Sequence, residues 1–169
     1  MNAEVVEDLA PAFDVEEPLA AESPVVCNSP HSGRAYPASF LRQSRLELAA
    51  LRRSEDTFVD ELFAEAPRAG VPLMRAHFPR AYLDVNREPY ELDPRMFAEP
   101  LPSFVNARSA RVAGGLGTIP KLVGEGQDIY PSRIRLSEAV SRIEGIYKPF
   151  HECLKGLVTR THARFGIAV

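Results

Sequence analysis

Apolar positions recur at helical spacing most clearly near the C-terminus. Val140, Ile143, Tyr147, Phe150, Leu154, Leu157, Val158 and Phe165 follow one another mostly at steps of three and four. That is the signature of a helix with one buried face, and it predicts a helix over residues 137–165. Ser137 can cap it and Gly166 stops it. Pro149 falls inside, and its ring crowds the carbonyl of Gly145 four residues back, so the expectation is a kink rather than a break. Ile167, Ala168 and Val169 then read as the opening of an apolar strand. A helix stop followed by an apolar run is how an α/β unit enters its next strand. We therefore expect the sequence to be the N-terminal part of a longer domain.

A second helical pattern covers residues 57–68, where Phe58, Val59, Leu62, Phe63 and Ala66 share a face and Gly70 closes the run. Residues 37–43 open a helix on Pro37, and residues 46–53 continue helically. Apolar runs predict strands at 24–29, 71–77 and 81–85, with a short one at 117–119. Phe13 and Val15 add a short edge strand to an otherwise loose, acidic lead-in over residues 1–22. Residues 88–133, rich in proline and glycine, read mostly as loop. One domain of class α/β, residues 23–169, follows.

Composition narrows the function classes. Of 169 residues, 45% are hydrophobic and 25% charged, ordinary for a globular protein. No apolar run approaches the length of a membrane span. The start of the chain has neither a basic end nor an apolar core, so it does not read as a secretory signal. Cys27 and Cys153 form no CxxC pair and no disulfide framework, which suits a reducing cytoplasm. Seven of the 23 acids and none of the 20 basic residues precede Arg34, so the remainder carries +4 against −3 overall. Acids are interleaved there, which excludes a continuous nucleic-acid surface. The excess of arginine over lysine suits a pocket that holds small anions through guanidinium forks.

Two dense stretches carry candidate chemistry. In "NSPHSGRAYP", His31 follows a strand and sits in a turn that Pro30 and Gly33 shape, where open α/β sheets bind their ligands. It is either a loop filler, or a metal ligand or catalytic residue. In "RRSEDTFVDEL", Asp56 precedes a helix. It is either an N-cap or the carboxylate that joins a histidine on a metal, with Glu55 and Asp60 as competitors. In "FPRAYLDVNREP", Arg80, Asn86 and Arg87 suit recognition of a planar carboxylate, or else salt bridges to the acidic lead-in. Asp84 among them reads as a residue that orients an arginine. His77 and His162 read as ordinary histidines, His151 as a hydrogen-bonded edge histidine and Cys27 as a small buried hydrophobe. "GGLG" at 114–117 precedes no helix and reads as a turn.

"SPHSGRAYP", "EDTFVDELF", "FPRAYLDVNREP", "GLGTIP" and "YKPFH" stand in the order found in N-formylglutamate amidohydrolases, and the chain resembles that family over roughly residues 12–169. The resemblance implies an α/β sandwich like that of zinc carboxypeptidases and aspartoacylases, with a mostly parallel or mixed central sheet flanked by helices. It implies hydrolysis of the N-formyl or other N-acyl amide of an acidic amino acid, with zinc as cofactor. His31 would be the first zinc ligand and Asp56 the carboxylate ligand, although zinc carboxypeptidases place a glutamate close behind the first histidine and this chain has none there. Arg80 would polarise the scissile carbonyl, and Asn86 and Arg87 would hold the substrate carboxylate. His151 matches a family position without an assigned role. The family's third zinc ligand and general-base glutamate lie beyond residue 169, so the chain alone is expected to be weakly active or inactive. The competing reading is a catalytically incompetent chain that binds a small anion or a partner through Arg80 and Arg87. A nucleic-acid or membrane partner is not expected.

Overall fold

A three-stranded sheet anchors the structure, a computed structural model that describes residues 9–124 and 126–169. In chain order the elements are β1 (Phe13–Glu16), β2 (Cys27–Ser29), α1 (Ala38–Gln43), α2 (Leu48–Leu51), α3 (Val59–Leu62), β3 (Leu73–Ala76), α4 (Ala110–Ala113), β4 (Leu122–Val123), β5 (Gln127–Asp128), α5 (Leu136–Arg142) and α6 (Lys148–Phe165). The central strand is β3, with Leu73, Met74 and Ala76 buried. β1 pairs with it antiparallel, Phe13 opposite Ala76, and β2 pairs parallel, Cys27 opposite Leu73. The sheet is therefore small and mixed, inside a mixed α/β chain. Val169 exchanges two backbone bonds of 2.8 Å with Pro24 and Val26, so it lies alongside the segment that leads into β2.

The acidic lead-in contributes more order than its composition suggests. Leu9 is buried, and β1 is fastened by Asp14, which accepts from Arg75 Nη2 at 2.6 Å and from His77 Nε2 at 3.0 Å. The reading of residues 1–8 as part of a loose, acidic lead-in lies outside the described residues.

The long C-terminal helix runs from Leu136 to Phe165, but in three parts. A π turn, Ile143–Tyr147, joins α5 to α6 just before Pro149. Widening the helix there relieves the crowding that the proline ring would impose on the turn before it. The inserted residue also shifts the buried face: Ala139, Ile143, Ile146, Tyr147, Phe150 and Leu157 point inward, whereas Val158 is exposed. Phe150 meets Phe13 and Phe78 edge-on at 5.4 and 6.0 Å, which ties α6 to the sheet. Burying one phenylalanine is worth about 1.5–3 kcal/mol. Gly166, with φ of 78°, ends the helix as its position predicts.

Three expected elements differ. Residues 81–85 form a buried turn, not a strand. Ala81, Tyr82, Leu83 and Val85 are all buried, and their segment is held by bonds from Tyr82 N to Pro79 O and Asp84 N to Thr118 O. The whole run is buried, Asp84 included, and a mostly apolar stretch of this length reads as a strand from its composition alone. Residues 117–119 are likewise irregular, with Thr118 bridging Glu91 and Asp84. The helix over 57–68 shrinks to α3, because Phe58 takes the left-handed conformation (φ 65°) immediately before it. Its apolar face is not buried: Phe58 is 52% and Leu62 78% exposed.

Arg142 on α5 is 1% exposed. Its guanidinium donates to Tyr82 O at 3.0 Å, to Tyr130 Oη at 2.8 Å and to Glu138, and lies 4.0 Å over the Tyr82 ring. This pins the C-terminal helix to the turn that follows β3. Among the described residues no helix is long and apolar enough to cross a membrane.

Candidate functional site

The turn after β2 lies against the end of β3. Gly33 makes that approach possible, since a Cβ there would stand 2.1 Å from Phe78 O and 2.6 Å from the His77 carbonyl carbon. Ala35 N then bonds His77 O at 2.9 Å. The same turn is zipped to the loop before α3. Asp56 N donates to His31 O at 3.1 Å, and Ser32 Oγ donates to Asp56 O at 2.9 Å and accepts from Asp60 N at 3.3 Å. Ser29 and Ser32 hydroxyls meet at 2.7 Å behind it. His31 and Asp56 thus arrive on two loops stitched together through their backbones.

His31 is buried between two carboxylates. Nε2 donates to Asp84 Oδ1 at 2.9 Å, and Nδ1 lies 3.3 Å from Asp56 Oδ2. Asp84 is 2% exposed and saturated with donors. Asn86 N reaches Oδ1 at 2.9 Å, Arg80 Nε reaches Oδ2 at 2.9 Å, and Arg87 Nη2 stands 3.5 Å from Oδ2. Burial pushes the Asp84 carboxyl up. The hydrogen bond from His31, the His31 and Arg80 charges and the Asn86 amide outweigh that and hold it below the usual carboxylate range. An ionised carboxylate only accepts, so Asp84 keeps a proton on His31 Nε2 and leaves Nδ1 as the ring nitrogen facing Asp56.

The Asp56 side chain is 52% exposed. It does not cap α3, whose start has no side-chain cap. Its competitors are engaged elsewhere: Glu55 accepts from Tyr36 Oη and Arg52 Nε, and Asp60 pairs with Arg34. An imidazole lone pair beside a solvent-facing carboxylate is a donor pair fit for a cation such as zinc, and a carboxylate on the far ring nitrogen is how metal-bound histidines are oriented. Among the described residues, no group of three or more His, Cys, Asp or Glu side chains is gathered to hold a metal.

A cavity of about 500 Å³ opens beside the pair, lined by Asp56, Asp84, Arg80 and Arg53 together with Leu116 and Val123. Arg80 spends Nε on Asp84 and contributes to the cavity wall. Arg87 stands behind that wall: Nε donates to Leu116 O at 2.9 Å and Nη1 to Asn86 O at 2.8 Å. Asn86 is exposed, and its backbone N–H serves Asp84. Neither residue lines the cavity. Among the described residues, neither Arg80 nor Arg87 pairs with the acidic lead-in, whose Asp14 takes Arg75 and His77 instead. The sequence reading gave Asp84 the arginine but missed its bond to His31, which the fold alone brings near. It also passed over Arg53, whose charge in a run of basic and acidic residues carries no signal of a cavity.

The family profile for N-formylglutamate amidohydrolases matches residues 23–169. Among solved structures, the chain is similar to the crystal structure of N-formylglutamate amidohydrolase from Ralstonia eutropha JMP134, with a TM-score of 0.84 and 36% identity. That match covers 93% of this chain and 55% of the other, so this chain spans about half the length of that relative. No curated protein sequence matches the chain significantly.

Proposed function

We propose, for a chain that belongs to the N-formylglutamate amidohydrolase family, that His31 and Asp56 are two ligands of a zinc ion in a site that hydrolyses the N-formyl amide of an acidic amino acid. The observation that carries this reading is His31 itself, locked through Nε2 on Asp84 with Nδ1 turned to Asp56 beside a cavity. The family resemblance supplies the acyl group and the acidic substrate.

Zinc at such a site supplies Lewis acidity and makes water acidic near neutral pH. The chain's own residues do the rest. Asp84 holds the imidazole in the donor tautomer and keeps it from turning. The same carboxylate holds Arg80 by its Nε at the cavity wall, where in this reading the guanidinium holds the carbonyl oxygen as negative charge develops. A well-placed donor of this kind is worth about 3 kcal/mol. In this reading the substrate carboxylate expected on Asn86 and Arg87 meets the cavity wall at Arg53, with Arg87 bracing Leu116 from behind.

The test is metal content, which the proposed ligand pair determines directly. The purified chain, equilibrated with zinc and desalted, is expected to retain about one equivalent, and His31→Ala and Asp56→Asn to lose it. Equal zinc in His31→Ala and the parent chain would sink the assignment. Release of formate from N-formyl-L-glutamate, assayed on the same samples, reports whether the site is competent.

A further inference from the structure

The π turn places two residues that the site as described does not use. Tyr147 Oη donates to Arg87 O at 2.5 Å, and His151 Nε2 donates to Val85 O at 2.8 Å. The two rings lie against each other, centroids 4.3 Å apart. Four residues apart, they share one helix face, and they take alternate carbonyls of one short segment. Between those carbonyls sits Asn86, whose amide donates to Asp84 Oδ1. The segment belongs to no sheet, and Asp84 N on Thr118 O is its nearest backbone anchor. Its shape therefore depends on side chains that grip it. The π turn sets which face of α6 is presented. Removing its extra residue would turn everything after it by about 100° and carry the two donors off the carbonyls.

We propose that Tyr147 and His151 are positioning residues. They clamp the carbonyls on either side of Asn86, hold its amide on Asp84, and so hold the Asp84 carboxylate against His31. The metal arm of this inference rests on the function proposed above; the clamp itself does not.

The experiment compares Tyr147→Phe, His151→Leu and His151→Gln in the whole chain. Amide hydrogen exchange is read by NMR without metal, and zinc affinity by chelator competition. In Tyr147→Phe and His151→Leu the Asn86 amide is expected to exchange about tenfold faster, as loss of one hydrogen bond allows, with the β3 amides of Met74 and Arg75 unchanged. Zinc affinity is expected to fall about tenfold, as for removal of an outer partner of a metal ligand. His151→Gln, which keeps an N–H donor, is expected to restore both. Unchanged exchange at Asn86 overturns the proposal. So does a rise at Asn86 matched by β3, which would mark the pair as general packing. If the parent chain binds no zinc, the function proposed above fails, and Asn86 exchange still decides the clamp.

Discussion

Replacing Asp84 by asparagine keeps the shape of the side chain and removes its charge at the point where the site is most tightly tied. The carboxylate accepts from His31 Nε2, Asn86 N and Arg80 Nε, each at 2.9 Å, with Arg87 Nη2 at 3.5 Å. An amide has one oxygen. If it serves His31 and Asn86, its NH₂ confronts Arg80 and Arg87; if it turns over, the NH₂ confronts His31 and the Asn86 amide. Removing one member of a buried charged pair costs about 3–5 kcal/mol. Arg80 retains access to solvent and recovers part of that, which leaves about 3 kcal/mol. For a chain of this size that corresponds to a fall of about 6–12 °C in melting temperature. Urea unfolding of Asp84→Asn against the parent chain measures it. A loss below about 1 kcal/mol would refute the argument that these donors depend on Asp84.

Gly33→Ala is expected to abolish soluble folded protein, because its Cβ would overlap backbone atoms of His77 and Phe78 that no rotamer change moves; a soluble variant with a native melting curve would contradict it. Asp14 is held below the usual carboxylate range, first by the hydrogen bond from Arg75 and then by His77, against burial. A depressed folded-state value gives stability that is complete above about pH 4, the unfolded value, and lost as pH falls through the lower folded one. Asp14→Asn is accordingly expected to flatten the acid limb of the urea midpoint below about pH 4, and an unaltered limb would exclude this pair as a source of acid sensitivity.

What could be read from the sequence was what lies close together along it. The helix over 137–165 was legible because its apolar positions share a face, and the presentation of His31 after β2 because Pro30 and Gly33 shape the turn locally. The π turn was not, since an inserted helical residue leaves no gap in an apolar pattern. Residues 81–85 were misread because complete burial erases the alternation that distinguishes a strand. At 57–68 a helical period was present, yet Phe58 in the left-handed region breaks the run at its start, a backbone choice that periodicity does not record. Asp84 against His31 and Tyr147 against Arg87 O depend on how distant segments dock, and no local spacing encodes that.

Every pairing in the sheet joins residues far apart in the chain: Phe13 waits for Ala76, and Cys27 for Leu73. β3 is thus the last of the three strands to be synthesised and the one both others require. Loop closure must be met before any of these contacts stabilises the chain, which places the molecule among slowly nucleating topologies. His31 follows β2 directly and Asp84 lies in the turn that leaves β3, so docking of those two strands is also what first brings imidazole and carboxylate together. The hydrogen bond that orients His31 thus depends on the same long-range docking that pairs β2 with β3.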